Sequence, residues 1–226
     1  MTVRASYDQF FELLKSRHSC RGFLSDPVAT ETIEAIVMAA QRVPSWCNAQ
    51  PWQLVITRKA ETDRLRRNLM AAFAKGRAAG PDLGFPKRYK GIYQERRREC
   101  GWQLYEAVGV ERGDRAASAR EMAENFRLFG APHVAIVTTE ADLGAYGVLD
   151  CGAFMTAFTL AAASLGIATI PQAAVAGFSD LLRERYDIAP TRQILCGISF
   201  GYIDRDHPAN GFRTSRASPG EVIEWR

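Results

Sequence analysis

The 226-residue chain has no Cys-x-x-Cys pair, no Gly-x-Gly-x-x-Gly and no Gly-rich phosphate loop ending in Lys-Ser or Lys-Thr. Its cysteines, Cys20, Cys47, Cys100, Cys151 and Cys196, are odd in number and dispersed. That pattern argues against a disulfide scaffold or a zinc site and for free thiols in a reducing compartment. The only histidines, His18, His133 and His207, lie far apart without metal spacing, so no metal is expected. His133 is expected simply to pack at the start of a strand. The first residues, Met1 to Ser6, carry no apolar signal-peptide core, and a cytoplasmic location is expected. Neither the 10 prolines nor the 18 glycines are in excess, which argues against global disorder. One long apolar run, Gly147 to Ile170, is interrupted by Asp150, Ser164 and several threonines. It reads as a helix buried in a soluble protein rather than a membrane span.

Apolar residues make up 47% of the chain, enough to bury a sizeable core. The net charge of +4 permits anionic ligands without demanding nucleic acid. No internal repeat or long polar linker divides the sequence, so one domain is expected over residues 1–226. Helical spacing predicts helices at Tyr7 to Lys15, from Thr30 (as N-cap) to Ala40, Glu61 to Ala79, Glu95 to Val108, Ala116 to Phe129, Val148 to Leu165 and Phe178 to Tyr186. Strands are predicted at Gln53 to Thr57, His133 to Thr139 and Gln193 to Phe200. The tail from Gly201 reads as loop with a last extended piece at Val222 to Trp225. Many helices and few strands indicate an α+β or α/β fold.

Four segments could carry chemistry. Arg17-His18-Ser19-Cys20-Arg21-Gly22-Phe23 places two guanidinium forks and a hydroxyl where they can converge on one dianion. Alone, it reads first as a solvated basic turn, because such turns are common. Pro44-Ser45-Trp46-Cys47-Asn48-Ala49-Gln50-Pro51-Trp52 offers amides that can read the edge of a planar heterocycle and two flat walls. It is also a Pro-bounded connector whose tryptophans could fill the core. Gly166 to Ala174 joins small residues that allow close approach of backbone to a ligand, or simply a helix stop and a turn. Asn210-Gly211-Phe212-Arg213-Thr214-Ser215-Arg216 is a late basic turn that could complete an anion site or remain a solvated tail.

In this order the four segments resemble the nitroreductase family of FMN-dependent oxidoreductases. Arg17 to Phe23 matches its Arg-[Arg/His]-Ser-x-[Arg/Lys]-x-[Phe/Tyr] start, and Pro44 to Trp52 its Pro-Ser-x-x-Asn-x-Gln-Pro-Trp stretch. Asn125-Phe126 through Gly130-Ala131-Pro132 looks like the family's lead into a core strand. The resemblance implies a three-layer α-β-α fold of the α+β class. A mainly antiparallel sheet would be wrapped by helices, with a long buried helix at the core of a homodimer. It implies FMN at the dimer interface and NAD(P)H as co-substrate. Hydride would pass through flavin N5 to a nitroaromatic, quinone or related acceptor in ping-pong fashion. Arg17, His18, Ser19, Arg21, Arg213 and Arg216 would hold the phosphate, ribityl chain and ring edge. Pro44, Ser45, Asn48 and Gln50 would lie beside the isoalloxazine of the adjoining subunit, and Pro171, Gln172 and Ala173 near N5. Trp46, Arg88, Tyr89 and Asn125 would meet a small aromatic substrate, with Lys75 to Arg98 as a basic lid. Some family members carry a Glu shortly after the Pro; here Gln172-Ala173-Ala174 follows, which bears on substrate preference.

Other readings compete. A relative could use the flavin for dehalogenation or substrate dehydrogenation. Gly197-Ile198-Ser199-Phe200-Gly201 matches a hydrolase nucleophile elbow, although no helix is expected after it. Arg96-Arg97-Arg98 with Tyr89 and Tyr93 could serve a nucleic-acid module. Helical pairing with the flanking Glu95 and Glu99 explains that run more simply, and no nucleic acid is expected.

Overall fold

The computed structural model describes residues 3–77 and 79–226. The strand β1 (Gln53–Ile56), β2 (His133–Glu140), β3 (Ala168–Gln172) and β4 (Arg192–Gly201) form one sheet in the order β1-β2-β4-β3, every pair antiparallel. β2 is buried from His133 to Thr139, as a strand covered on both faces must be. Its alternate side chains serve different layers. Ala135 and Val137, with Ile198 and Phe200 of β4, face the helices α2 (Thr30–Ala40) and α6 (Gly144–Ser164). Val134 and Ile136, with Ile194, face α3 (Lys59–Ala74) and the α7 (Ala173–Ala176) and α8 (Ser179–Tyr186) pair. Helices on both faces of an antiparallel sheet make this an α+β fold of three layers. α1 (Val3–Ser16), α4 (Ile92–Ala107), α5 (Arg115–Glu124) and a short C-terminal α9 (Pro219–Val222) complete the described elements.

Several predicted boundaries move. Thr30 is the first helical residue rather than a cap: Ala29 precedes it and no side chain caps the helix. The third helix ends at Ala74, not Ala79, and Gly76 follows with φ +66°. The segment predicted as helix to Phe129 stops at Glu124, and Leu128 and Phe129 take positive φ before β2. Gly166 to Ala174 is not merely a turn, since Ala168–Gln172 pairs with β4. Pro171 is tolerated there because β3 is an edge strand. The tail predicted as extended turns first into α9, behind a capping box of Ser218 and Glu221.

α6 was expected to be buried all round. Within one chain only one face is covered, through Gly147, Asp150, Cys151, Phe154, Phe158, Thr159 and Ala162. Tyr146 and Leu149 on the other face are 55% and 66% exposed. The buried face carries a relay of rings: Trp52 stacks on Phe154 at 5.0 Å, Phe158 lies edge-on to Phe200 at 5.7 Å, and Phe200 stacks on His133 at 5.2 Å.

His133 does more than pack. A carbonyl can only accept, so Nδ1–H donates to Thr57 O at 2.9 Å, and Nε2 accepts the Val28 N–H at 3.0 Å. The ring thus joins the approach to α2, the end of β1 and the start of β2, and only its neutral form makes both bonds. Burial pushes its pKa below the usual histidine value, against the raising effect of the Thr57 carbonyl. The unfolded chain takes up this proton near pH ~6.5 while the folded chain refuses it. The contribution is therefore complete above that pH and is lost as pH falls towards the folded value. Urea denaturation between pH 8 and pH 5 is expected to show stability falling with pH. His133→Phe, which strands the Val28 N–H, should cost about 1–3 kcal/mol at pH 8 and flatten that slope.

Candidate functional site

The first wall of the site begins where α1 ends. The chain leaves the helix extended: Ser19 bridges to Thr169 of β3 in parallel, and Cys20 N–H donates to Thr169 O at 3.0 Å. Further on, Phe23 bridges to Ile203 and Leu24 N–H reaches Tyr202 O at 2.9 Å. Cys20 is fully buried beneath this strip. Its thiol donates to Gly22 O, and burial pushes its pKa up to about 11, so it is inert packing. Gly22 is required by space, because a Cβ there would lie 2.3 Å from the His207 ring.

The second wall, Asn210 to Arg216, is clasped to the first by Asn210. Its Oδ1 accepts the Arg21 N–H at 2.7 Å, while Nδ2 donates to Gly22 O at 2.9 Å and to Asp204 O at 2.8 Å. This buried amide is the functional residue that sequence reasoning missed. It opened the basic turn, but nothing in the sequence marks its partners 188 and 189 positions away.

Between the walls lies a cavity of about 840 Å³ into which Arg17, His18, Ser19, Arg21, Arg213 and Arg216 all face. Phe11 and Leu14 of α1, Cys100 of α4 and Phe212 add apolar surface. No Asp or Glu lines it, and none of the four arginines forms an ion pair among the described residues. Burial lowers the pKa of Arg17, and the Arg216 charge lowers it further; burial also lowers that of Arg21. His18 Nδ1–H is spent on Ser16 O at 3.0 Å, and its Nε2 is buried without a partner. Burial, then the charges of Arg213, Arg17 and Arg21, hold this imidazole below its usual pKa, outweighing the Ser16 carbonyl. Four guanidiniums, a hydroxyl and an orphaned ring nitrogen without a carboxylate suit a phosphate group on a polar chain.

The remaining predicted residues sit elsewhere. Cys47, Asn48 and Gln50 all have positive φ, near +50°, in a loop that joins α2 to β1. Buried Asp150 of α6 accepts the Trp46 N–H at 3.0 Å, Ser45 Oγ accepts the Gln50 N–H at 3.0 Å, and buried Arg192 donates to Pro51 O at 3.0 Å. The two tryptophans divide: Trp52 fills the core, while Trp46 is 60% exposed against Tyr146, ring centroids 4.7 Å apart. Pro44, Ser45, Asn48 and Gln50 do not line the arginine cavity of their own chain. Pro171 and Ala173 are exposed, but the Gln172 side chain is turned into the interior, leaving only its backbone for a ligand. Asn125 follows α5, and its carbonyl accepts from Gln172 Nε2. Arg88 and Tyr89 are exposed away from the cavity, with Arg97 over the Tyr89 ring. Arg96 pairs with Glu221 rather than along its own helix. Ser199 is no nucleophile: it lies buried inside β4 and gives its hydroxyl proton to Gln172 Oε1.

The chain is similar to known proteins over almost its whole length. It is 35% identical to nitroreductase NfnB of Mycolicibacterium smegmatis over 94% of this chain and 91% of that protein. It is 32% identical to a 4-nitrobenzoate reductase of Pseudomonas putida, covering 92% of each. Its fold superposes with a TM-score of 0.92 and 34% identity on a crystal structure of the FMN-dependent nitroreductase NfnB from Mycobacterium smegmatis in complex with NADPH, over 97% of this chain and 99% of that one. The model of the Nitroreductase family matches residues 14–202, and the chain belongs to that family.

Proposed function

We propose that this protein is an FMN-dependent oxidoreductase that takes hydride from NAD(P)H and reduces a nitroaromatic, quinone or related aromatic acceptor in ping-pong fashion. The observation that carries this reading is the cavity whose described lining holds no acid and whose four arginines form no ion pair among the described residues. A cluster so arranged repels itself and is stabilised by a bound dianion. The NfnB structure it resembles is that of an FMN-dependent enzyme with NADPH bound.

When bound, FMN supplies the redox chemistry, alternately accepting and donating hydride. The chain supplies position. Arg17, Arg21, Arg213 and Arg216 hold the phosphate with charge-assisted bonds, and the Ser19 hydroxyl adds a donor. Neutral His18 offers Nε2 as an acceptor, which suits a hydroxyl of the ribityl chain. Pro171 and Ala173 contribute exposed backbone, and Ser45, Asn48 and Gln50 contribute polar groups that suit the edge of a flat heterocycle. Because these groups do not share the arginine cavity of their own chain, the complete site is assigned to a homodimer. Large uncovered apolar surface on α1, α6 and the C-terminus, where Trp225 is 86% exposed, supports that assembly. Trp46 and Asn125 are placed on the substrate side. The basic stretch with Arg88 and Tyr89 is assigned to selecting acidic aromatic acceptors.

The purified protein is expected to be yellow and to bleach on adding NADPH or NADH; a colourless protein that FMN cannot reconstitute ends this reading. Arg17→Ala or Arg21→Ala should each weaken FMN binding roughly 10- to 100-fold, the equivalent of one charge-assisted bond. Flavin fluorescence titration reads this, and the melting temperature of the flavin-free protein should not fall. Charge reversal at Arg88 and Lys90 should raise KM for a carboxylated acceptor and leave a neutral one unchanged; equal effects on both would remove the lid assignment.

A further inference from the structure

Gln172 closes β3 and immediately precedes the exposed Ala173, yet it is only 3% exposed itself. Its Nε2 donates to Asn125 O at 2.8 Å and lies 3.5 Å from Asn125 Oδ1. Its Oε1 accepts the Ser199 hydroxyl at 2.5 Å. Two oxygens on one side and a hydroxyl donor on the other fix which end of the amide is which. Ser199 is fully buried in β4, paired in register with Ile170, and Asn125 stands at the C-terminus of α5. One amide therefore ties the end of β3 to its neighbouring strand and to a helix that makes no ladder contact with it.

An interior edge-strand position is ordinarily filled by a β-branched apolar residue, and a buried amide costs free energy unless both its ends are bonded. Here both are, and the bonds converge on the elbow where β3 becomes α7. The other edge of β3 carries the first wall of the cavity, through the Ser19–Thr169 bridge and the bond from Cys20 N–H to Thr169 O. Whatever sets the end of β3 therefore sets the spacing between the arginine wall and the Pro171–Ala173 elbow.

We infer that Gln172 is a positioning residue for the cofactor: with Ser199 and Asn125 it holds the Pro171–Ala173 backbone in register with the phosphate-binding wall, so that the ring end of FMN meets a fixed surface. This rests on the flavin reading above. The network does not touch the phosphate wall directly. Its loss should therefore change how the protein distinguishes oxidised from reduced flavin more than how it grips the phosphate.

The test uses the flavin-loaded protein and two variants. Gln172→Met keeps length and removes both bonds; Ser199→Ala removes one and leaves the strand intact, should the first variant fold poorly. For Gln172→Met the ratio of affinities for oxidised and reduced FMN is expected to change roughly tenfold, about 30 mV for a two-electron couple, read as the midpoint potential. Ser199→Ala should shift it in the same direction by less, and both should alter the visible spectrum of the bound flavin. An unchanged midpoint and spectrum in both variants, with or without a lower Tm, overturns the inference and leaves the network a purely structural bond. Failure of the unaltered protein to bind FMN would instead defeat the flavin reading, independently of the variants.

Discussion

Two hydrogen bonds of Asn210, one accepted from Arg21 N–H and one donated to Gly22 O, hold the two ends of the chain together at the cavity. One wall follows α1 and the other follows the last strand, and each presents arginines to the same space. Left to themselves these charges would drive the walls apart. A neutral amide can cross-link two backbones without adding to the charge, because it carries an acceptor for Arg21 N–H and donors for the Gly22 and Asp204 carbonyls. Close approach is then possible only because Gly22 has no side chain to meet His207.

The geometry that results places function against stability. Arg17 and Arg21 are partly desolvated, Arg17 beside the Arg216 charge, and His18 keeps a buried nitrogen unpartnered. Two other arginines find acidic partners. Buried Arg192 is bonded to Glu140, Thr138 and Pro51. Arg183 likewise finds Asp82 and three carbonyls. The four cavity arginines, by contrast, form no ion pair among the described residues; Arg21, Arg213 and Arg216 bond only uncharged oxygens.

A similar contrast appears in the loop between α2 and β1. Three non-glycine residues with positive φ represent local strain. That strain is held by Asp150 and Arg192, buried charges of opposite sign that grip its two ends. The loop and the Trp46–Tyr146 pair are thereby presented outward as an exposed surface.

Much of this was legible in the residue order. The central strands show as β-branched runs bounded by breakers, the amphipathic helices as apolar spacing, and the arginine walls as two short motifs. β3 was not legible, because Gly166, Pro171 and a run of small residues look like a turn until the ladder to β4 is seen. The exposed face of α6 was hidden too, since composition alone cannot say how many sides of an apolar helix its own chain covers. Sequence by itself determined which residue types are available: a basic N-terminal motif, a basic late turn, amides beside tryptophans and no acid-rich partner for either. Tertiary structure decided what each does. It sent Trp52 to the core and left Trp46 outside, made His133 a bridge, and turned Asn210 and Gln172 from ordinary amides into clasps. The physical reason is that a polar side chain acquires its role from hydrogen-bond partners, and here those partners come from elements far apart along the chain.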